Sequence, residues 1–135
     1  TIPPSDTDIL IADTTGEVDD FCAHAKLIFV GGSMVKHGGH NVIEAAARGK
    51  ATIVGPHTDN FMDEVEYLIS RGALEIAENE QELASKWAEI STGESARHRL
   101  EAATIAAYRN LPDKVEEYIG LVAAAIDLHH AKTVQ

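Results

Sequence analysis

The sequence predicts an α/β domain: a partial Rossmann-like parallel sheet of three to four strands, flanking helices and a helical C-terminal tail. Three observations carry that reading. Short apolar runs recur through the first half of the chain, helical periods fill the gaps between them, and the runs end in glycine or small polar residues. Continuous runs, as opposed to strict alternation, mark strands buried on both faces. Strand–helix–strand alternation at this spacing implies right-handed crossovers.

Ile9-Leu-Ile-Ala-Asp13 is the first expected strand. Val18, Phe21, Cys22 and Ala25 recur at i, i+3, i+4 and i+7, which predicts a helix. Leu27-Ile-Phe-Val30 is the second strand, stopped by Gly31-Gly32. A short helix follows on Ile43, Ala46 and Ala47, with Gly49 as its C-terminal stop. Ala51-Thr-Ile-Val54 is the third strand, stopped by Gly55-Pro56. Met62, Val65, Leu68 and Ile69 form the next stripe, ended by Gly72, and Ala73 to Ala77 is a weaker fourth strand. From Asn79 onward only helices are expected, on Leu83, Trp87 and Ile90, then on Leu100, Ala103, Ala107, Tyr108 and Leu111. Pro112 breaks the chain before a last stripe of Val115, Tyr118, Ile119, Val122 and Ile126, and the tail from His129 is expected to fray. The expected organisation is one domain, with an α/β part over 1–78 and a helical part over 79–130.

With 135 residues, 44% of them apolar, the chain is long enough for one core and too short for two. Its net charge of −11 repels phosphate backbones and anionic headgroups, which argues against nucleic acid or a polybasic membrane-surface mode. No apolar stretch is long enough to cross a bilayer, and Thr1 to Asp8 carries no leader signature. The single cysteine, Cys22, makes an internal disulfide impossible and fits a reducing compartment. The first strand begins almost at residue 1, so it would present an unpaired edge. Either the sheet is small or the chain is a piece of a longer protein.

Three clusters can carry chemistry. Phe29 to Glu44 reads as a strand, a double glycine, a polar turn, a second double glycine and a helix start. Gly31 and Gly32 let a ligand approach the backbone at the carboxyl end of a strand, where open α/β sheets bind ligands. Gly38-Gly39 lead into a helix start, which favours an anion. Asn41 and Glu44 have capping-box spacing, so they either cap that helix or meet a ligand. Gly55-Pro-His-Thr-Asp-Asn-Phe61 follows the third strand; its His57 is either a donor to a ligand oxygen or a loop histidine held by backbone. Asp13-Thr-Thr-Gly-Glu17 follows the first strand and offers hydroxyls and amides, or simply caps the next helix. Three such loops on one rim are more specific than any one of them. A closed zinc site on His37, His40 and His57 is disfavoured by the flexible glycines, and no Gly-x-Ser-x-Gly elbow or Walker lysine is present. No metal or cofactor is expected.

The four motifs Asp13-Thr-Thr-Gly-Glu17, Phe29-Val-Gly-Gly-Ser33, Gly38-Gly-His-Asn41 with Glu44-Ala-Ala46, and Gly55-Pro-His-Thr58 with Asn60-Phe61 occur together and in order. They resemble the carboxyl-terminal domain of 3-deoxy-D-manno-octulosonic acid (Kdo) transferase, over roughly residues 8 to 70. The resemblance implies a GT-B architecture of two Rossmann-like domains, with CMP-Kdo held mainly by the second and a lipid A precursor as acceptor. Carried over by position, Thr15, Gly16 and Glu17 would lie at the nucleotide. Asn41, Val42, Ile43 and Glu44 would hold CMP, with Glu44 on the ribose or base. Gly32 and Ser33 would border the phosphate and sugar, and His40 and His57 would line the pocket. Val42 departs from a frequent proline of the family.

The family's first domain, with its catalytic carboxylate and acceptor surface, has no counterpart here, nor do the first strands of the second domain and a Pro-Arg motif. The chain is therefore expected to be a donor-binding piece, inert alone. Its parent would be an inverting transferase on the cytoplasmic side of a bacterial inner membrane. Homo-oligomers through the open sheet edge are expected. Two other readings stand beside it: another GT-B enzyme using a UDP-sugar (a transferase or a 2-epimerase), or a non-catalytic nucleotide-binding or interaction module.

Overall fold

Two of the apolar runs fold as read, Leu27–Val30 as β1 and Ala51–Val54 as β2, while the weak fourth run contracts to a two-residue β3, Glu75–Ile76. The computed structural model describes residues 8–111. The three strands are parallel in the order β1-β2-β3, with Val30 opposite Val54 and Val54 opposite Ile76. Five helices accompany them among the described residues: α1 (Val18–His24), α2 (Ile43–Ala47), α3 (Met62–Ile69), α4 (Glu80–Thr92) and α5 (Glu94–Arg109). A short 3-10 turn, Asp59–Phe61, leads into α3. The helix expected after Pro112 and the frayed tail lie outside the described residues.

All four residues of β2 are buried, which is why its run is continuous. Side chains alternate across a strand, so β2 feeds two cores. Ala51 and Ile53 pack with Leu27, Ala77, Ile90 and Leu100, under α4 and the first half of α5. Val54 packs with Val30, Val42, Ala46, Val65 and Leu68, under α2 and α3. Ala107, near the end of α5, also reaches this second cluster.

The helix stops are those the glycines announce. Gly49 and Gly72 adopt left-handed φ of +63° and +64°. Past them, the Lys50 N–H donates to the Ala45 carbonyl (3.3 Å) and the Ala73 N–H to the Leu68 carbonyl (2.9 Å), closing Schellman-type ends. At the start of α4, the Asn79 carboxamide oxygen accepts the Glu82 N–H at 2.9 Å.

The first expected strand does not form. Ile9 to Asp13 has no strand partner, and Ile9 and Ile11 are 82% and 86% exposed. The physical reason is topological. In a doubly wound sheet of order 3-2-1-4-5-6, the linear set β1-β2-β3 corresponds to strands 4-5-6. The strand just before them belongs at the far end, beyond two others, and without those neighbours its backbone has no ladder to join.

With that strand unpaired, α1 is tied down through α2 instead. Arg48, just past the end of α2, forms a bidentate ion pair with Asp19 (Nε to Oδ1 2.6 Å). The hydrogen bond from Arg48 holds the Asp19 carboxyl below the usual carboxylate range. Cys22 is buried, and burial first, then the neighbouring Glu44 and Asp19 charges, push its thiol above the ordinary value. It is an inert packing residue.

Gly49 combines two constraints, the left-handed φ and a site where a Cβ would stand 2.5 Å from Ile105 Cγ1 of α5. Gly49→Ala is therefore expected to destabilise the domain by about 2 kcal/mol. In thermal unfolding followed by circular dichroism this reads as a Tm lower by about 5 °C or more; an unchanged Tm would refute the packing described for this turn.

Candidate functional site

Because Val30 and Val54 are in register, β1 and β2 release their chains side by side at the carboxyl edge of the sheet. The segment after β1 runs from Gly31 to Val42, and the segment after β2 from Gly55 to Thr58. These two loops are bound into one unit. The Ser33 hydroxyl donates to the Val30 carbonyl (2.6 Å) and accepts the Gly55 N–H (2.8 Å). The Ser33 carbonyl accepts the His57 N–H at 2.9 Å. Farther out, the Asn60 N–H donates to the Gly38 carbonyl (3.1 Å) and Asn60 Nδ2 to the His37 carbonyl (3.3 Å). Within the first loop the Gly39 N–H closes back on the Gly32 carbonyl at 3.2 Å.

The glycines permit this closeness. Gly38 and Gly39 take φ of +88° and +73°, and a Cβ on Gly38 would stand 2.5 Å from Asn60 Nδ2. A Cβ on Gly55 would overlap the Ser33 carbonyl group itself. Gly32 carries His40 on its bare face: a Cβ there would lie 3.2 Å from the His40 ring and 3.4 Å from His37. The two imidazoles sit with centroids 6.1 Å apart.

The expected residues therefore sort into groups. Gly32, His40, Asn41 and His57 lie on the clasped pair of loops, and Glu44 lies in the first turn of α2. His40, Asn41 and Glu44 are exposed, and Gly32 and His57 are half-buried. Ile43 is half-buried against the core. Two side chains point the other way. Ser33 is 0% exposed, with its hydroxyl used inside the protein. Val42 is 1% exposed and packs in the α2–α3 core.

The capping box is not realised either. The helix starts one residue later than expected, with Val42 at the cap position. Asn41 instead makes an Asx-type turn, its Oδ1 accepting the Ile43 N–H at 2.9 Å, and Glu44 stands free to solvent with its carboxylate. The helix has only five residues, so its dipole is small.

The third expected loop stands apart. Thr14, Thr15 and Gly16 are exposed; the Thr14 hydroxyl donates to the Glu17 carboxylate, and α1 beyond it is held through Asp19 by Arg48, at the opposite end of α2 from Asn41. This follows from the unpaired Ile9–Asp13 segment, since a turn reaches the rim only if its strand does. Asn60, which the sequence offers only as part of a motif and with no role of its own, links the two loops. Its signal was present in the sequence, as an asparagine in the turn after a Gly-Pro strand stop, but not its partner, which lies more than twenty residues earlier. Among the described residues no cluster of His, Cys, Asp or Glu has metal-binding geometry, and no helix is long and apolar enough to cross a membrane.

A parallel sheet with helices on both faces and its polar, glycine-built loops at the strand carboxyl ends defines an α/β domain of the GT-B C-terminal kind. By sequence and fold the chain belongs with the 3-deoxy-D-manno-octulosonic acid transferases, in their C-terminal region. It is 36% identical over 126 residues to the 3-deoxy-D-manno-octulosonic acid transferase of Bordetella pertussis, covering 87% of this chain and 29% of the relative. The enzyme of that name from Haemophilus influenzae is 33% identical over 100 residues, 73% of this chain and 23% of the relative. Among solved structures, the C-terminal CMP-Kdo binding domain of WaaA from Acinetobacter baumannii superposes with a TM-score of 0.67 at 32% identity, over 71% of this chain and 50% of that one. The chain thus spans less than a third of the length of these curated relatives. No protein-family profile matches it.

Gly55→Ala places a methyl 2.3 Å from the Ser33 carbonyl oxygen and must force the loops apart. Overpacking against backbone is expected to cost about 3 kcal/mol. The urea midpoint should fall by about 1 M or more; a midpoint equal to wild type would show that the loops are not in contact there.

Proposed function

We propose that this chain is the donor half-site of a glycosyltransferase that moves Kdo from CMP-Kdo to a lipid A precursor. The observation that carries the reading is the clasped pair of loops at the carboxyl edge of the sheet. Its support is the family to which the chain belongs and the CMP-Kdo binding described for its structural neighbour.

In this reading Glu44, exposed at the start of α2, accepts hydrogen bonds from the ribose or base of CMP. Asn41 Nδ2, the Glu44 amide and the His40 and His57 rings face the phosphate and sugar. Gly32 gives the sugar close access to the backbone. Ser33, Val42 and Ile43 support these groups from behind through backbone and packing. Thr15, Gly16 and Glu17 join the nucleotide once Ile9 to Asp13 occupies a strand position in a longer polypeptide.

A carboxylate from another domain would deprotonate the acceptor hydroxyl, which attacks the anomeric carbon as CMP leaves with the bonding pair. Amides and imidazoles held in place at the phosphate stabilise that departing charge. The chain alone contributes binding and orientation. The parent enzyme would work at the cytoplasmic face of the inner membrane, where its acceptor resides.

Calorimetric titration tests the site. CMP should bind more tightly than UDP, and Glu44→Ala should weaken CMP by about tenfold or more, the worth of a charge-assisted hydrogen bond. Unchanged CMP affinity in that variant would remove Glu44 from the site, and a preference for UDP would favour a UDP-sugar enzyme.

The outer edge of β1 is unpaired among the described strands, and exposed Ile9, Ile11, Val18 and Phe21 lie near it in sequence. The 135-residue chain should therefore self-associate in light scattering as its concentration rises; a monodisperse monomer would contradict that.

A further inference from the structure

We infer that Ser33 and Asn60 are positioning residues, which clasp the β1 and β2 exit loops into one rigid donor cradle without touching the donor. The inference rests on the donor-site reading above. Ser33 is 0% exposed, so its side chain reaches nothing outside the protein. Its hydroxyl and carbonyl instead hold three points of the fold: the last residue of β1, the first residue after β2, and the amide of His57. Asn60 does the same work farther out, on the carbonyls of His37 and Gly38. The His57 amide is itself held by Ser33, and His40 follows two residues after the Gly38 that Asn60 holds, its ring against Gly32. Both histidines are thus placed by residues that do not themselves meet the donor.

Loops are otherwise the mobile parts of a fold, and a site assembled from two of them loses affinity in proportion to the freedom that binding must remove. Asn60 and Ser33 remove that freedom in advance. Hydrogen bonds to loop carbonyls also turn the Gly38–Gly39 backbone so that its left-handed conformation is retained without a side chain to wedge it.

The test uses the full-length enzyme with CMP-Kdo and a lipid A precursor. Ser33→Ala strands the Gly55 N–H in the interior and should raise the donor KM by about tenfold, with the acceptor KM within about twofold of wild type. Ser33→Thr, which keeps the hydroxyl, should recover most of that loss. Asn60→Ala removes an exposed side chain and its bond to the His37 carbonyl, and should raise the donor KM by about threefold. In both alanine variants the amides of His57 and Asn60 should exchange with solvent faster.

Thr104→Val serves as the comparison. It deletes a buried hydroxyl that donates to Ala73 and Leu100 carbonyls, away from the loops, and should lower Tm while leaving the donor KM unchanged. The assignment is overturned if wild type binds CMP and the Ser33→Ala and Asn60→Ala proteins bind it equally well, or if Thr104→Val, at a comparable loss of Tm, raises the donor KM as much as they do. A wild type that does not bind CMP overturns the donor reading and this assignment with it.

Discussion

Two parallel strands that end side by side send their chains out through the same narrow space, and the rest of this domain depends on how that space is shared. Here the backbone of Gly55 passes so close to Ser33 that no side chain fits between them. The Ser33 hydroxyl fills the remaining gap by bonding both strand ends. Burying a polar group in such a place costs stability unless each of its bonds is made. Among the described residues no buried side-chain polar atom is left without a partner. The contact satisfies the interior and at the same time fixes the two loops that face outward.

Much of the fold was readable from period and punctuation. The run Ala51–Val54 is continuous because β2 lies between two helical layers, and Gly49 and Gly72 stand where helix ends need a left-handed residue. What failed was the strand Ile9 to Asp13. Its composition is that of a buried strand, but a strand is defined by its neighbours, and those come from sheet order rather than from local sequence. The site divides in the same way. Glycines and the exposed residues His40, Asn41 and Glu44 were identifiable from type and spacing. The inward turn of Ser33 and Val42, and the role of Asn60, depend on contacts between distant segments that no local pattern carries.

The family relationship and the geometry constrain each other. The relatives are several times longer than this chain, and among its described residues the outer edge of β1 and Ile9 to Asp13 have no strand neighbours. In the proposed reading, the domain would bind and orient a charged donor through amides, a carboxylate and imidazoles on a rigid frame, with an acceptor and a base brought across the cleft by another domain. The strong net negative charge is no obstacle, since the groups that would meet the phosphate are local donors, and field effects of distant surface charge are screened at physiological salt.

The most direct measurement is an amide NMR titration of the chain with CMP. The account predicts chemical-shift changes concentrated in Gly31 to Ala45 and Gly55 to Asn60, with the helical surface of α4 and α5 unmoved. Saturable shifts centred instead on the small charged crevice around Lys86 and Arg99, or none in the two loops, would contradict it.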